Sequence, residues 1–275
     1  MLTETFHSII TAARNVFKNW PSLLLIAAVY ASLLAVLYFF VSVKEATMVQ
    51  VTLTFAAGIV APVIFFVLQA MVAGESNSLP AVSLLRRSLA SFWKVILISL
   101  PLIALAVLVV YLLGKTQAHF DANVRDAAAA LPHQLATSTH ARDTPRAIDW
   151  RTALLSTVRY LTFGFVLPLA AIHLWLATMR DGLAGALRKI ATLLSRAFAP
   201  QSVLTYIAGF LIFAVVPYFL LFKTTQTKHA WLELSLLVTR LIVVFALTLV
   251  GWLITVRALA QFSTSTAPEP ANEAT

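Results

Sequence analysis

Few ionisable side chains interrupt the apolar stretches of this chain, and any chemistry inside those stretches falls to them. Arg159 stands in Thr157-Val158-Arg159-Tyr160, His173 in Ile172-His173-Leu174-Trp175 and Arg240 in Val238-Thr239-Arg240-Leu241. An ionisable group at membrane depth is costly, so it marks a ligand site or pathway unless something neutralises it. Two arginines at similar depth would face an outer cavity and hold an anionic headgroup or substrate through paired hydrogen bonds. The competing reading is that each snorkels to the interface on its long stem, or pairs with Glu233 or Asp149. A relay through His173 needs a carboxylate at membrane depth, and no expected span supplies one near its middle. A hydrogen bond to a neighbouring helix, for instance to Gln69, is the simpler expectation.

Other chemistries are excluded more directly. The chain has no cysteine, which removes disulfides, thiolate metal sites and cysteine nucleophiles. His119, His133 and His140 share one connection at separations of fourteen and seven residues, a spacing that suits no recognised metal motif. Gly-rich phosphate loops, zincin motifs, nucleophile elbows and nucleotide fingerprints are missing from the sequence. No enzymatic activity, no cofactor and no metal are therefore expected.

The elements that position these residues follow from composition. Of 275 residues, 60% are hydrophobic and 11% charged, with a mean hydropathy of +0.87. A soluble domain carries about 25% charged residues, so a water-soluble enzyme is ruled out. Crossing a bilayer takes roughly 20 apolar residues in a helix. Six stretches qualify, at 21–43, 47–73, 95–113, 153–179, 203–222 and 234–256. They are twice the length of barrel strands and lack alternation. The fold class is all-α: a polytopic membrane helical bundle within one membrane domain, 1–262, followed by a disordered Ser/Thr/Ala/Pro-rich tail, 263–275. The connection 114–150 is the one sizeable outer loop, with a short helical cap expected over its alanine run. The first span is too long for a cleaved signal peptide, and Arg14 and Lys18 precede it as they would a signal anchor.

Net charge is +9 and the pI is about 10.2, but the cations collect at span boundaries, where anionic lipid rather than nucleic acid is the natural counterpart. Ten Lys/Arg fall on the side of Arg14, Arg86, Arg180 and Arg257, and eight on the other. Half of the eight lie in 114–150 among four aspartates, so density near the span ends places both termini in the cytoplasm of a bacterial inner membrane.

A unit recurs three times: a basic amphipathic segment, an aromatic residue, then a span. Its junctions are Arg14-Asn15-Val16-Phe17-Lys18-Asn19-Trp20-Pro21, Arg86-Arg87 through Phe92-Trp93-Lys94, and Arg188-Lys189 through Arg196-Ala197-Phe198-Ala199-Pro200. Each segment is expected as a short helix lying in the headgroup region. Gly58-Ile59-Val60-Ala61-Pro62 in the second span parallels Gly164-Phe165-Val166-Leu167-Pro168 in the fourth, and Pro62 and Pro168 are candidate kinks. Six spans in three pairs invite comparison with mitochondrial carriers. Pro101-Leu102-Ile103 and Pro217-Tyr218-Phe219 lack the acid of the carrier motif, which removes that assignment. The Arg14–Pro21 and Arg86–Lys94 junctions resemble those of multi-span bacterial proteins of uncharacterised function, including ones similar to glycerophosphodiester phosphodiesterase membrane domains. That resemblance covers short junctions and implies no site residues.

Two functions fit these features. The first is a non-enzymatic membrane protein that organises lipid, or acts as a scaffold or accessory subunit with protein partners in the membrane. Its contacts to anionic headgroups would come from Arg86, Arg87, Arg188 and Lys189, with Arg159, Arg240 and His173 as further candidates. The second is a transporter or lipid-moving protein, with Pro62, Pro168, Arg159 and Arg240 lining an outward-facing cavity.

Overall fold

The computed structural model describes residues 2–43, 47–75, 80–129, 150–223 and 230–264. Among them there is no strand. The helices are α1 (Leu2–Lys18), α2 (Trp20–Ser42), α3 (Met48–Glu75), α4 (Ala81–Ala129), α5 (Trp150–Leu161), α6 (Leu167–Arg188), α7 (Ile190–Ala197), α8 (Pro200–Phe210), α9 (Val216–Phe222) and α10 (Ala230–Thr264). Six helical stretches are long and apolar enough to cross a membrane: Trp20–Ser42, Met48–Glu75, Ala81–His119, Ala153–Arg188, Pro200–Phe222 and Trp231–Phe262. The protein is an all-α, multi-pass integral membrane bundle.

Proline explains where helices start and where they widen. Pro21 and Pro200 stand in the first turns of α2 and α8, where the missing N–H has no intrahelical partner to lose. Each follows a break: Asn19 at φ −102°, ψ 53°, and Ala199 at φ −62°, ψ 142°, the extended backbone that a following proline imposes. The junction at Lys94 carries no proline, and there the helix continues. The second basic segment is thus not the separate interfacial helix expected from its sequence; it and the span form one helix, Ala81–Ala129. That helix also runs past 113 through Ala127–Ala129, good helix formers. Residues 130–149, with His133, His140 and the rest of the expected cap, lie outside the described residues, as does the tail beyond Thr264.

Inside spans, proline acts through the carbonyl four residues earlier, which its ring pushes away. Thr162–Val166 and Leu211–Val215 form π-helical turns just before Pro168 and Pro217. The Leu167 and Val216 amides reach back five residues, to the carbonyls of Thr162 and Leu211. In both cases the displaced carbonyl, of Gly164 or Phe213, sits within the widened turn. Pro62 is accommodated without a change of helix type, α3 being continuous through it.

The described chain separates into two compact units, Met1–Ile98 with Leu169–Thr275, and Ser99–Pro168. In the first, every residue of 67–75 in α3 and of 169–179 in α6 is buried, as is every residue of 255–259 in α10. Lipid is as apolar as leucine, so such helices associate by close packing rather than by hydrophobic burial. Glycine sets that closeness on α10. A Cβ on Gly209 of α8 would collide with the Thr255 hydroxyl and lie 2.7 Å from its methyl. One on Gly251 would lie 3.3 Å from the Phe213 Cα. The Thr255 hydroxyl returns its proton to the Gly251 carbonyl at 2.6 Å, so its own donor is satisfied within α10. The second unit comprises the later part of α4 with α5 and its π turn, and its apolar side chains Ile103, Val107, Val110, Leu154 and Val158 are exposed, as lipid-facing positions are.

Candidate functional site

Charge collects at the ends of the fully buried stretches of α3 and α6 and within that of α10. Glu75, the last residue of α3, accepts a 2.5 Å hydrogen bond from Nη1 of Arg257 on α10. Their side chains are only 5% and 9% exposed, so this is a buried ion pair. The side chain of Asn19, at the break between α1 and α2, adds a further hydrogen bond to the Glu75 carboxylate. One carboxylate therefore joins three elements. Two charges brought out of water repay their desolvation only with good geometry and further hydrogen bonds, and here both conditions are met. Beside it α1 lies along α10, burying Thr5, Ser8, Ala12 and Val16, which share one helical face. The Ser8 hydroxyl donates to Oε1 of Gln261 at 2.9 Å.

The end of the buried stretch in α6 is built differently. Arg87 of α4 donates from Nη2 to the Met179 carbonyl at 2.9 Å, a cation placed on a carbonyl at the end of the buried stretch. Gly74 packs against the same place: a Cβ there would lie 3.2 Å from Leu84 and 3.4 Å from Met179. Asp181 follows two residues on, held by Nε of Arg180 at 2.8 Å and Nζ of Lys189 at 3.2 Å. Lys189 can return to it because Gly182 leaves the helix at φ 76°, ψ 173°, a left-handed backbone that suits glycine.

The residues singled out from the sequence fall in both units. Arg159 is exposed on α5 in the second unit. Arg240, in the first, donates through Nη1 to the Lys223 carbonyl at the end of α9. Arg240 thereby caps a carbonyl at a helix end. His173 is buried, but its Nδ1 lies 3.0 Å from the Leu169 carbonyl, one turn back in its own helix. A carbonyl only accepts, so Nδ1 carries the proton. The bond expected to a neighbouring helix is thus made within the same helix, the preceding turn supplying the acceptor. Arg86, Arg87, Arg188 and Lys189 are all exposed, and Arg87 and Lys189 are also bonded to Met179 and Asp181.

In the sequence, Glu75 and Asp181 are passed over and Arg257 and Asn19 count only as boundary residues, because the expected spans close at 73, 179 and 256, just short of three of the four. One signal was available. Glu75 stands thirteen residues after Pro62, and Asp181 thirteen after Pro168, so the parallel Gly-x-x-x-Pro segments lead to an acid at the same register. No protein-family model, curated protein or solved structure matches this chain.

Proposed function

We propose that the protein is a non-catalytic, multi-pass protein of a bacterial inner membrane that organises anionic lipid, serving as a scaffold or accessory subunit with both termini in the cytoplasm. The observation that carries the reading is the division of labour among charges at the basic helix ends. Glu75, Arg257 and Asn19 clamp the bundle from within, while Arg14, Lys18, Arg86 and Arg188 remain exposed beside the exposed Phe17, Trp20 and Trp93. Cations next to aromatic rings at span ends suit an amphipathic interfacial role toward anionic headgroups. In neutral detergent with phosphatidylglycerol and phosphatidylcholine in equal amounts, the purified protein should retain phosphatidylglycerol preferentially. Gln at Arg14, Lys18 and Arg86 should weaken that preference by about 1 kcal/mol per charge at low salt, and the loss should fade as salt shortens the screening length. Equal retention of both lipids overturns the reading. Orientation is tested separately: a cysteine at Ala128 should react with an impermeant maleimide in intact spheroplasts, and one at Ser83 should not.

A lipid-moving function is the second reading, favoured by the π turns ahead of Pro168 and Pro217, since interrupted helices recur in transport proteins. Proteoliposomes that scramble a fluorescent lipid faster than empty vesicles would select it; unchanged scrambling would leave the organising role.

A further inference from the structure

The first helix, α1, turns small residues inward and large apolar ones outward. Thr5, Ser8, Ala12 and Val16 are buried against the bundle, while Phe6, Ile10 and Phe17 are 65%, 58% and 59% exposed. A helix beside water hides its largest apolar side chains, so these three are placed for a non-aqueous neighbour. At about 100° per residue, they fall within about 40° of one another. Arg14 and Lys18, both exposed, lie about 80° to one side of that stripe, and the buried face about 135° to the other. Thr11 and Asn15 point roughly opposite to it. This is the order of a helix lying in a membrane surface with the bundle on one flank: apolar side below, cations on the outer flank, polar side above. Connectivity puts α1 at that surface, since Asn19 alone separates it from the span α2.

We propose that the Phe6–Ile10–Phe17 face of α1 docks into the bilayer itself, at the boundary between headgroups and acyl chains, which makes α1 a lipid-held strap along α10. The flanking Arg14 and Lys18 complement anionic headgroups at that depth. Trp20, exposed at the head of α2, continues the apolar edge at the level where indole rings collect. The docking goes beyond the headgroup reading above. That reading rests on cations, whereas here apolar side chains meet acyl chains.

The test uses the full chain in nanodiscs of phosphatidylglycerol and phosphatidylcholine in equal amounts. The chain has no cysteine, so a single nitroxide can be attached in turn through Phe6→Cys, Ile10→Cys, Phe17→Cys, Thr11→Cys and Asn15→Cys. Oxygen concentrates among acyl chains and a nickel chelate in water, so the ratio of their collision rates with the nitroxide reports depth. Labels on the stripe should give an oxygen-to-nickel ratio several-fold higher than labels at Thr11 and Asn15. The stripe positions are read separately, so one variant that fails to fold does not decide the matter. A flat ratio along the helix, or frequent nickel collisions on the stripe, overturns the docking. Few collisions with either probe on the stripe overturns it in favour of a second copy or another protein covering the face. The phosphatidylglycerol preference of the same protein separates the two readings. A stripe in water with that preference intact removes only the docking; an immersed stripe without the preference upholds the docking and removes only the headgroup reading.

Discussion

Glu75 and Asp181 occupy the same register after their prolines, yet one ion pair is buried and the other stays near the surface. Glu75 ends α3 in a place walled by α10 and the α1–α2 break, so its carboxylate meets a buried guanidinium and an amide. Asp181 precedes a glycine that abandons the helix, so it stays near the surface and gathers flexible cations. The chemistry of the acid is the same in both. The next residue in the chain, and the elements packed against the acid, decide whether its charge locks the fold or faces outward.

The sharpest way to break this contrast is to remove one partner of the buried pair. Glu75→Leu or Arg257→Met alone strands an uncompensated buried charge and should cost about 3–5 kcal/mol. The double variant should recover most of that, because an apolar pair of similar volume avoids desolvation. Reversible unfolding in mixed detergent micelles measures all three. Two single losses that simply add in the double variant would show that the residues do not act as a pair.

Next comes the crossing that holds Arg257 in register. Gly209→Ala drives a methyl into Thr255, two residues before Arg257, and overpacking of this kind costs about 1–3 kcal/mol. Thr255→Ala in the same background should return part of the loss by removing the hydroxyl and methyl. If Gly209→Ala is tolerated by itself, α8 and α10 are not locked at this point, and the seating of Arg257 has another cause.

The spans themselves were legible, since no other element accommodates 20 apolar residues: 21–43 against Trp20–Ser42 differs by one residue at each end. The continuous α4 was legible in principle, from the missing proline at Lys94, but the shared basic pattern suggested equivalence with Pro21 and Pro200. The π turns were not legible. Pro62 and Pro168 follow identical Gly-x-x-x-Pro spacing, and only the second widens its helix. The clamp was hidden for a different reason: Glu75 and Arg257 lie 182 residues apart, so each reads singly as a boundary charge. Pairing across that distance is a property of packing, which periodicity does not encode.

A milder comparison uses two arginines of the same helix. Arg240 and Arg257 are seventeen residues apart on α10, about 25 Å along its axis. Arg257 meets a buried carboxylate, Arg240 the Lys223 carbonyl. Arg240→Ala should cost about 0.5–1.5 kcal/mol, the net worth of one hydrogen bond, by the same unfolding measurement. Arg240→Lys should fall between Ala and wild type, since a carbonyl needs a donor but no planar fork. A loss as large as that of Arg257→Met would mean that Arg240 holds the fold as firmly as the buried clamp does.

The smallest effect belongs to Asp181→Asn, and its size tests the whole contrast. The acid's two ion pairs involve side chains with 38% and 60% exposure. Pairs held in solvent lose most of their Coulomb energy to screening and to the entropy of ordering long side chains. Removing the charge should therefore change stability by about 0–1 kcal/mol, and the change should shrink further as salt is raised. Asparagine keeps the volume and one carbonyl oxygen, so the turn at Gly182 is undisturbed. A cost equal to that of losing Glu75 would place Asp181 in a clamp of its own and make the two registers alike. A negligible cost shows that the fold does not depend on the pairing of Asp181 with Arg180 and Lys189.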